Sequence, residues 1–202
     1  MKKLAAVTII LLQMFTYQTA QAEMFYVGAM YGQTQYETGV TALTGTATLD
    51  DETTSSKVLV GMNIGFGLMA EVYYADMGDV TFSANSGDTY TEAGVTETIV
   101  YDGLSTMSQY KAYGINAVYK LGFGIASVYA KAGMLHWESE NTVQITSFGF
   151  KETTTTSGNE PLVGAGVEFT LLPLVSIRLD YELTKIDEDD VTNISAGVVV
   201  GF

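Results

Sequence analysis

His136 is the single histidine of the chain, and in "LHWESE" it stands beside Glu138 and Ser139. A base, a hydroxyl and a carboxylate are the parts of a nucleophilic hydrolase. Their spacing argues against a meeting. Positions 136 and 139 differ by an odd number, so in a regular strand the two side chains leave on opposite faces, and only a bulge would reunite them. The acidic run "DEDD", Asp187 to Asp190, has the charge for a divalent cation but lacks the spaced ligands and turn glycine of a calcium loop, so it reads as a solvated loop. The chain has no cysteine, which removes thiolate metal sites and disulfides alike. No catalytic, cofactor-binding or metal residue is therefore assigned. Four other charges share a pattern: Glu71, Lys131, Glu168 and Arg178 each interrupt the small or polar face of an alternating segment whose other face is apolar.

Those segments are strands. From Val175 the residues Val175, Ile177, Leu179, Tyr181 and Leu183 share one face, and Ser176, Arg178, Asp180, Glu182 and Thr184 share the other. The same division runs through "PLVGAGVEFTLL", where Val163, Ala165, Val167, Phe169 and Leu171 oppose Gly164, Gly166, Glu168 and Thr170. The last segment alternates Ile194, Ala196, Val198, Val200 and Phe202 with residues too small to form a charged surface. Eight such strands are expected, over residues 25–36, 57–64, 68–78, 109–121, 125–138, 162–171, 175–186 and 192–202. Their connections alternate. "GFG" (Gly65 to Gly67), "GFG" (Gly122 to Gly124) and "LPL" (Leu172 to Leu174) are tight, whereas the intervening loops are long and rich in Thr and Ser.

An even number of strands with short turns at one end and long loops at the other is the pattern of a transmembrane β-barrel. The fold class expected is all-β, an eight-stranded antiparallel up-and-down transmembrane barrel, with the Ile194 to Phe202 face resting on acyl chains. Four charges converging in a soluble sandwich core would be unusual. In a closed barrel of eight strands they have a filled polar interior to occupy. Phe25, Tyr119, Phe123 and Phe202 near the turns, and Tyr31, Tyr74 and Tyr181 near the loops, fit two interfacial girdles. A soluble lipocalin-like carrier would instead need a roomy apolar cavity where these charges stand.

Composition agrees. Charged residues make up 16% of the chain, below the roughly 25% of soluble domains, while 21 glycines and 2 prolines favour long β-structure. "MKK", the apolar "LAAVTIILLQMF" and the small residues Ala20-Gln21-Ala22 read as an export leader over residues 1–22, with the barrel domain over 23–202. Loss of Lys2 and Lys3 with the leader leaves 7 basic against 23 acidic residues, a net charge of −16 that makes nucleic acid an implausible partner.

Several segments resemble the OmpA-type transmembrane domain of Gram-negative outer membranes. "PLVGAGVEFTLLPLVSIRLDYELTKID" followed by "TNISAGVVVGF" is similar to its sixth to eighth strands. "FYVGAMYGQTQY" is similar to its first, "LMAEVYYADMGDV" to its third and "SVYAKAGMLHW" to its fifth. The resemblance implies a monomeric barrel in the outer membrane, surrounded by outer-membrane lipid and lipopolysaccharide, with an interior ionic network at Glu71, Lys131, Glu168 and Arg178. It also implies surface loops that contact host cells or other ligands, and a terminal Phe202 read by the barrel-assembly machinery. The family's interior lysines on the first and fourth strands stand here as Met30 and Asn116, and the chain stops at Phe202, so no cell-wall tether is implied. A structural and surface-interaction role, adhesin-like and not enzymatic, is the function expected. The alternative is a lipid A-modifying barrel enzyme, since small outer-membrane barrels include deacylases with a His and a Ser on one strand.

Three expectations about register complete the reading. A three-residue loop at Leu172 to Leu174 sets Glu168 opposite Arg178 as an ion pair. A two-residue loop at Phe123 and Gly124 sets Asn116 opposite Lys131, which then looks across the lumen to Glu71. Asp180 and Glu182, left over in an interior where acids outnumber bases, belong higher up in water. Finally, "TVQITSFGFKETTTT" alternates on both sides of Phe148 and Gly149, so strands continuing above the membrane, with an edge open to β-augmentation, weigh equally with a disordered loop.

Overall fold

The computed structural model describes residues 24–92, 94–186 and 189–202. The proposed leader and its junction at Glu23, and Asp187 and Glu188 of the acidic run, lie outside the described residues. Twelve strands follow in chain order: β1 (Phe25–Glu37), β2 (Val40–Leu43), β3 (Thr48–Asp50), β4 (Glu52–Gly65), β5 (Leu68–Ala84), β6 (Thr89–Glu92), β7 (Val95–Thr98), β8 (Leu104–Phe123), β9 (Ala126–Ile145), β10 (Phe150–Leu172), β11 (Val175–Ile186) and β12 (Asp189–Gly201).

Eight of them close a ring in the antiparallel order β1, β4, β5, β8, β9, β10, β11, β12. The seam between β12 and β1 pairs Tyr26 with Gly201 and runs up to Glu37 opposite Asp190. Below it the backbones of Phe25 and Phe202 exchange hydrogen bonds, and their rings stack with centroids 6.3 Å apart. Phe202 is thus the last rung of the closure. The tight turns are two residues long, Phe66–Gly67, Gly124–Ile125 and Pro173–Leu174. In the first, both Phe66 (φ 55°) and Gly67 (φ 81°) are left-handed, the backbone that matches the twist of paired strands.

The period of two sorts the wall. On β8, Tyr113, Ile115, Ala117, Tyr119, Leu121 and Phe123 are exposed, while Ala112, Asn116 and Val118 are buried. Ten residues of tilted strand span about the 25 Å of an apolar belt. Each aromatic proposed for a girdle faces outward: Phe25, Tyr119, Phe123 and Phe202 toward the turns, Tyr31, Tyr74 and Tyr181 toward the loops.

At the other end β8, β9 and β10 overrun the belt. They are 20, 20 and 23 residues long, about twice what a spanning strand needs. The segment weighed as loop or strand is therefore strand: Phe150 pairs with Ile145, and the Thr-rich run Thr153 to Thr156 pairs with Ser139 to Thr142. Alternation with β-branched residues suffices to extend the hairpin, with Gly149 at φ 63° turning the tip. On the side of β10 away from β9, pairing to β11 begins only at Leu162, so Phe150 to Pro161 form an edge. At the opposite side β3 adds three residues to β5, and the first and second outer loops contribute β2, β6 and β7 to a small sheet of their own.

Asp88 knits that cap together. Its carboxylate accepts from the backbone N–H of Asn85 and Thr46 at 2.8 and 2.9 Å and from the Thr46 hydroxyl at 2.8 Å. Hydrogen bonds from Asn85 and then Thr46 hold its carboxyl below the usual carboxylate range. The first and second outer loops are tied at this point.

Candidate functional site: the ionic lumen and the outer edge

The interior charges converge at mid-barrel, but in a different pairing from the one expected. Arg178, 1% exposed, donates from Nε to Asp180 at 3.0 Å and from Nη2 to Glu71 at 3.3 Å, with Nη1 on the same Glu71 carboxylate. Its guanidinium lies 4.3 Å from the centre of the Tyr129 ring, whose hydroxyl receives a second bond from Nε at 2.8 Å. Tyr26 completes Glu71 with a bond of 2.8 Å. Glycine makes room for both tyrosines: a Cβ at Gly61 would stand 1.9 Å from the Tyr26 ring, and one at Gly166 would stand 2.1 Å from the Tyr129 hydroxyl.

Glu168 does sit opposite Arg178 in the β10 and β11 register, but not through the three-residue loop expected: the turn is the two-residue Pro173–Leu174, and a register shift at Leu171, between Thr170 and Leu172, restores the pairing; the Glu168 carboxylate bonds Lys120 at 3.0 Å. The guanidinium reaches Glu71 across the lumen instead, where two carboxylate oxygens accept its fork. Lys131 does not look to Glu71. It pairs with Asp180 and Glu182, and Lys57 meets Glu182 from β4. Nor is Asn116 opposite Lys131: the β8 and β9 turn falls at Gly124–Ile125, one residue later than expected at its start, which slides the register by two and pairs Asn116 with Gly133 and Lys131 with Val118. Asp180 and Glu182 are buried, not wetted. The missing counter-charges were Lys57 and Lys120, which bring the bases to four against the four acids Glu71, Glu168, Asp180 and Glu182. Both were visible by parity: Lys57 shares a face with Leu59 and Gly61, and Lys120 with Asn116 and Val118.

Apolar residues close over this layer. Leu135 and Trp137 lie on the loop side with Tyr36, Met77, Ile186 and Val191, while Met69 and Val118 lie toward the turns. The space left beside Lys57 and Glu182, lined also by Tyr73, Asn193 and Ser195, is about 20 Å³, room for about one water. Such an interior holds charge in place.

The hydrolase parts separate as the odd spacing requires. Ser139 is buried inside the wall, whereas His136 faces out, its Nδ1 2.9 Å from Oδ1 of Asn159 and its ring 4.9 Å from that of Tyr113. Asp190, from the acidic run, is exposed and bonds Lys185 at 2.8 Å. Among the described residues no three His, Cys, Asp or Glu side chains gather as metal ligands.

Comparison with known proteins supports the same architecture. Residues 4–202 match the family described as outer membrane protein beta-barrel domain. Outer membrane protein A of Shigella dysenteriae is 30% identical over 88 residues, 42% of this chain and 25% of that protein, so the match spans about a quarter of its length. The crystal structure of Ail, the attachment invasion locus protein of Yersinia pestis, superposes with a TM-score of 0.57 at 15% identity, covering 89% of this chain and 99% of that one. A second Ail structure, with TM-score 0.51 and 15% identity over the same shares, holds the heparin analogue sucrose octasulfate. Neisserial surface protein A superposes with a TM-score of 0.54 at 18% identity, covering 88% of this chain and 97% of that one.

Proposed function

The chain belongs to the outer membrane β-barrel domain family, and from that premise we propose that it is a surface-interaction protein whose binding element is the protruding sheet and whose sealed barrel is the mount. It resides in the outer membrane. The observation that carries the proposal is the edge at Phe150 to Pro161. Proteins blunt exposed edges with bulges, prolines, lysines or short strands. Here 12 residues pair with β9 in unbroken register, with Lys151 the single lysine and Pro161 only at the lower end. Such an edge offers a row of backbone donors and acceptors to an extended segment.

Charge selects the partner. Glu138, Glu140, Glu152 and Glu160 lie on the two outer strands against Lys151, and the whole chain carries −14. A basic extended segment is attracted, while a sulfated polyanion of the kind seen on Ail is repelled. A second copy brings the same negative charge, in keeping with a monomer. Removal of the leader over residues 1–22 and recognition of Phe202 by the barrel-assembly machinery complete this reading. A catalytic role has no support in the separation of His136 from Ser139 across the wall.

The test uses purified protein in nanodiscs and cultured host cells. Thr153→Lys, Thr155→Lys and Ser157→Lys together add charge beside the edge without touching the barrel. Binding of the wild-type protein to cells should fall at least about tenfold in the triple variant, the loss of roughly 1.4 kcal/mol of strand pairing. Equal binding by both, or no binding by the wild type, would overturn the proposal.

A further inference from the structure

The free edge of β10 is not uniform along its length. Even-numbered positions from Phe150 to Glu160 share the face of Leu162 and Gly164, and odd-numbered positions from Lys151 to Asn159 share the face of Val163. Register carries each position back through the sheet. An apolar row runs through Ala84, Leu104, Ile145 and Phe150 on β5, β8, β9 and β10, and it stops at the edge with Phe150 44% exposed. A visiting strand that places an apolar side chain opposite Phe150 lengthens this row by one. On the same face Glu152 comes next and Glu160 stands at the lower end.

The other face keeps its acid one strand further in. Gln109, Glu140 and Thr155 form a row, with Glu140 directly behind the small Thr155. Two strand spacings, roughly 10 Å, separate Glu140 from the backbone of a strand added at the edge. A lysine or arginine laid over Thr155 spans that distance with its own stem and the Glu140 side chain. Among the described residues Glu140, Glu152 and Glu160 take part in no ion pair. Lys151 is the position on the edge that repels a base.

We propose that the edge selects its partner by position, taking an antiparallel segment with basic residues opposite Glu160, Thr155 and Glu152 and an apolar residue opposite Phe150. Counted from the residue opposite Glu160, these are the first, sixth, ninth and eleventh positions of the segment, and the tenth, opposite Lys151, is not basic. Antiparallel entry continues the pattern of the neighbours, since β9, β10 and β11 all pair that way. The selection rests on the edge reading above: backbone pairing supplies attachment, and these four positions supply choice.

The probes are three fluorescent peptides of eleven residues, titrated by anisotropy against the protein in nanodiscs. The ordered peptide has lysine at the first, sixth and ninth positions, leucine at the eleventh and threonine elsewhere. The clustered peptide has the same composition with its lysines at the fifth to seventh positions, and the reversed peptide is the ordered one with glutamate at the ninth. The wild type should bind the ordered peptide saturably and at least about tenfold more tightly than the clustered one. Glu152→Lys, on the exposed outer reach of β10, should lose at least about tenfold for the ordered peptide and should bind the reversed peptide better than the wild type does. No binding of the ordered peptide, or a Glu152→Lys change that weakens all three alike, would overturn the selection. Equal binding of the ordered and clustered peptides, abolished by the triple variant at Thr153, Thr155 and Ser157, would overturn the selection and leave the edge standing. Ordered binding that survives the triple variant would overturn both.

Discussion

Replacing Arg178 with methionine should lower unfolding stability in liposomes by about 3 to 5 kcal/mol, the usual cost of stranding a buried partner. Arg178 is the hub of the lumen: it bonds Glu71, Asp180 and the Tyr129 hydroxyl and lies over the Tyr129 ring. Without it the Glu71 carboxylate keeps only the bond from Tyr26 and has lost its direct ion pair. Most of the loss comes from that stranded charge. Glu71→Gln in the same chain should therefore recover a good part of it, whereas Glu168→Gln, whose carboxylate answers to Lys120, should recover little. Urea titration of the single and double variants measures the difference. Simple addition of the Arg178 and Glu71 effects would contradict the pairing.

A charge on the outside of the same strand probes the other solvent. Leu179 faces out at the middle of the β11 apolar set, between Val167 on β10 and Ala196 on β12. Leu179→Arg should cost about 2 to 4 kcal/mol, the penalty for arginine near the bilayer midplane. Thr155→Arg, on the exposed outer reach of β10, should stay within about 0.5 kcal/mol of the wild type. Chemical unfolding in liposomes compares them. Equal effects would mean that the two faces of the wall have been interchanged.

The parts legible in the sequence were those that a period of two determines. Which face of each strand meets lipid follows from parity, because a one-residue slip would put arginine in the bilayer, and the count of eight in the ring follows from the alternation of tight turns and long loops. Sequence parity reaches Glu168 opposite Arg178 through a three-residue loop, whereas the structure reaches it through a two-residue turn and a bulge at Leu171. A slip of two preserves parity and costs nothing that alternation can sense. The β8 and β9 register therefore moved without warning, from Asn116 opposite Lys131 to Val118 opposite Lys131. Partner choice across the lumen was illegible for a further reason. Arg178 and Lys131 are long side chains that reach strands remote in sequence, so proximity along one hairpin does not decide the bond. Asp180 and Glu182 are in surplus only if Lys57 and Lys120 are left off the inward face. The outer hairpin is half legible: its alternation runs through "TVQITSFGFKETTTT", but no apolar face marks it, so only the pairing with β9 separates strand from loop.

Single-channel recording in a planar bilayer tests the central claim, that the barrel is a plugged mount and that its work is done outside. Arg178 and Lys131 are held by the carboxylates of Glu71, Asp180 and Glu182 between apolar layers, and the space beside them amounts to about one water. The reconstituted wild-type protein should show no stable conductance steps above the bare membrane. A large, long-lived open level in the folded protein would contradict the account.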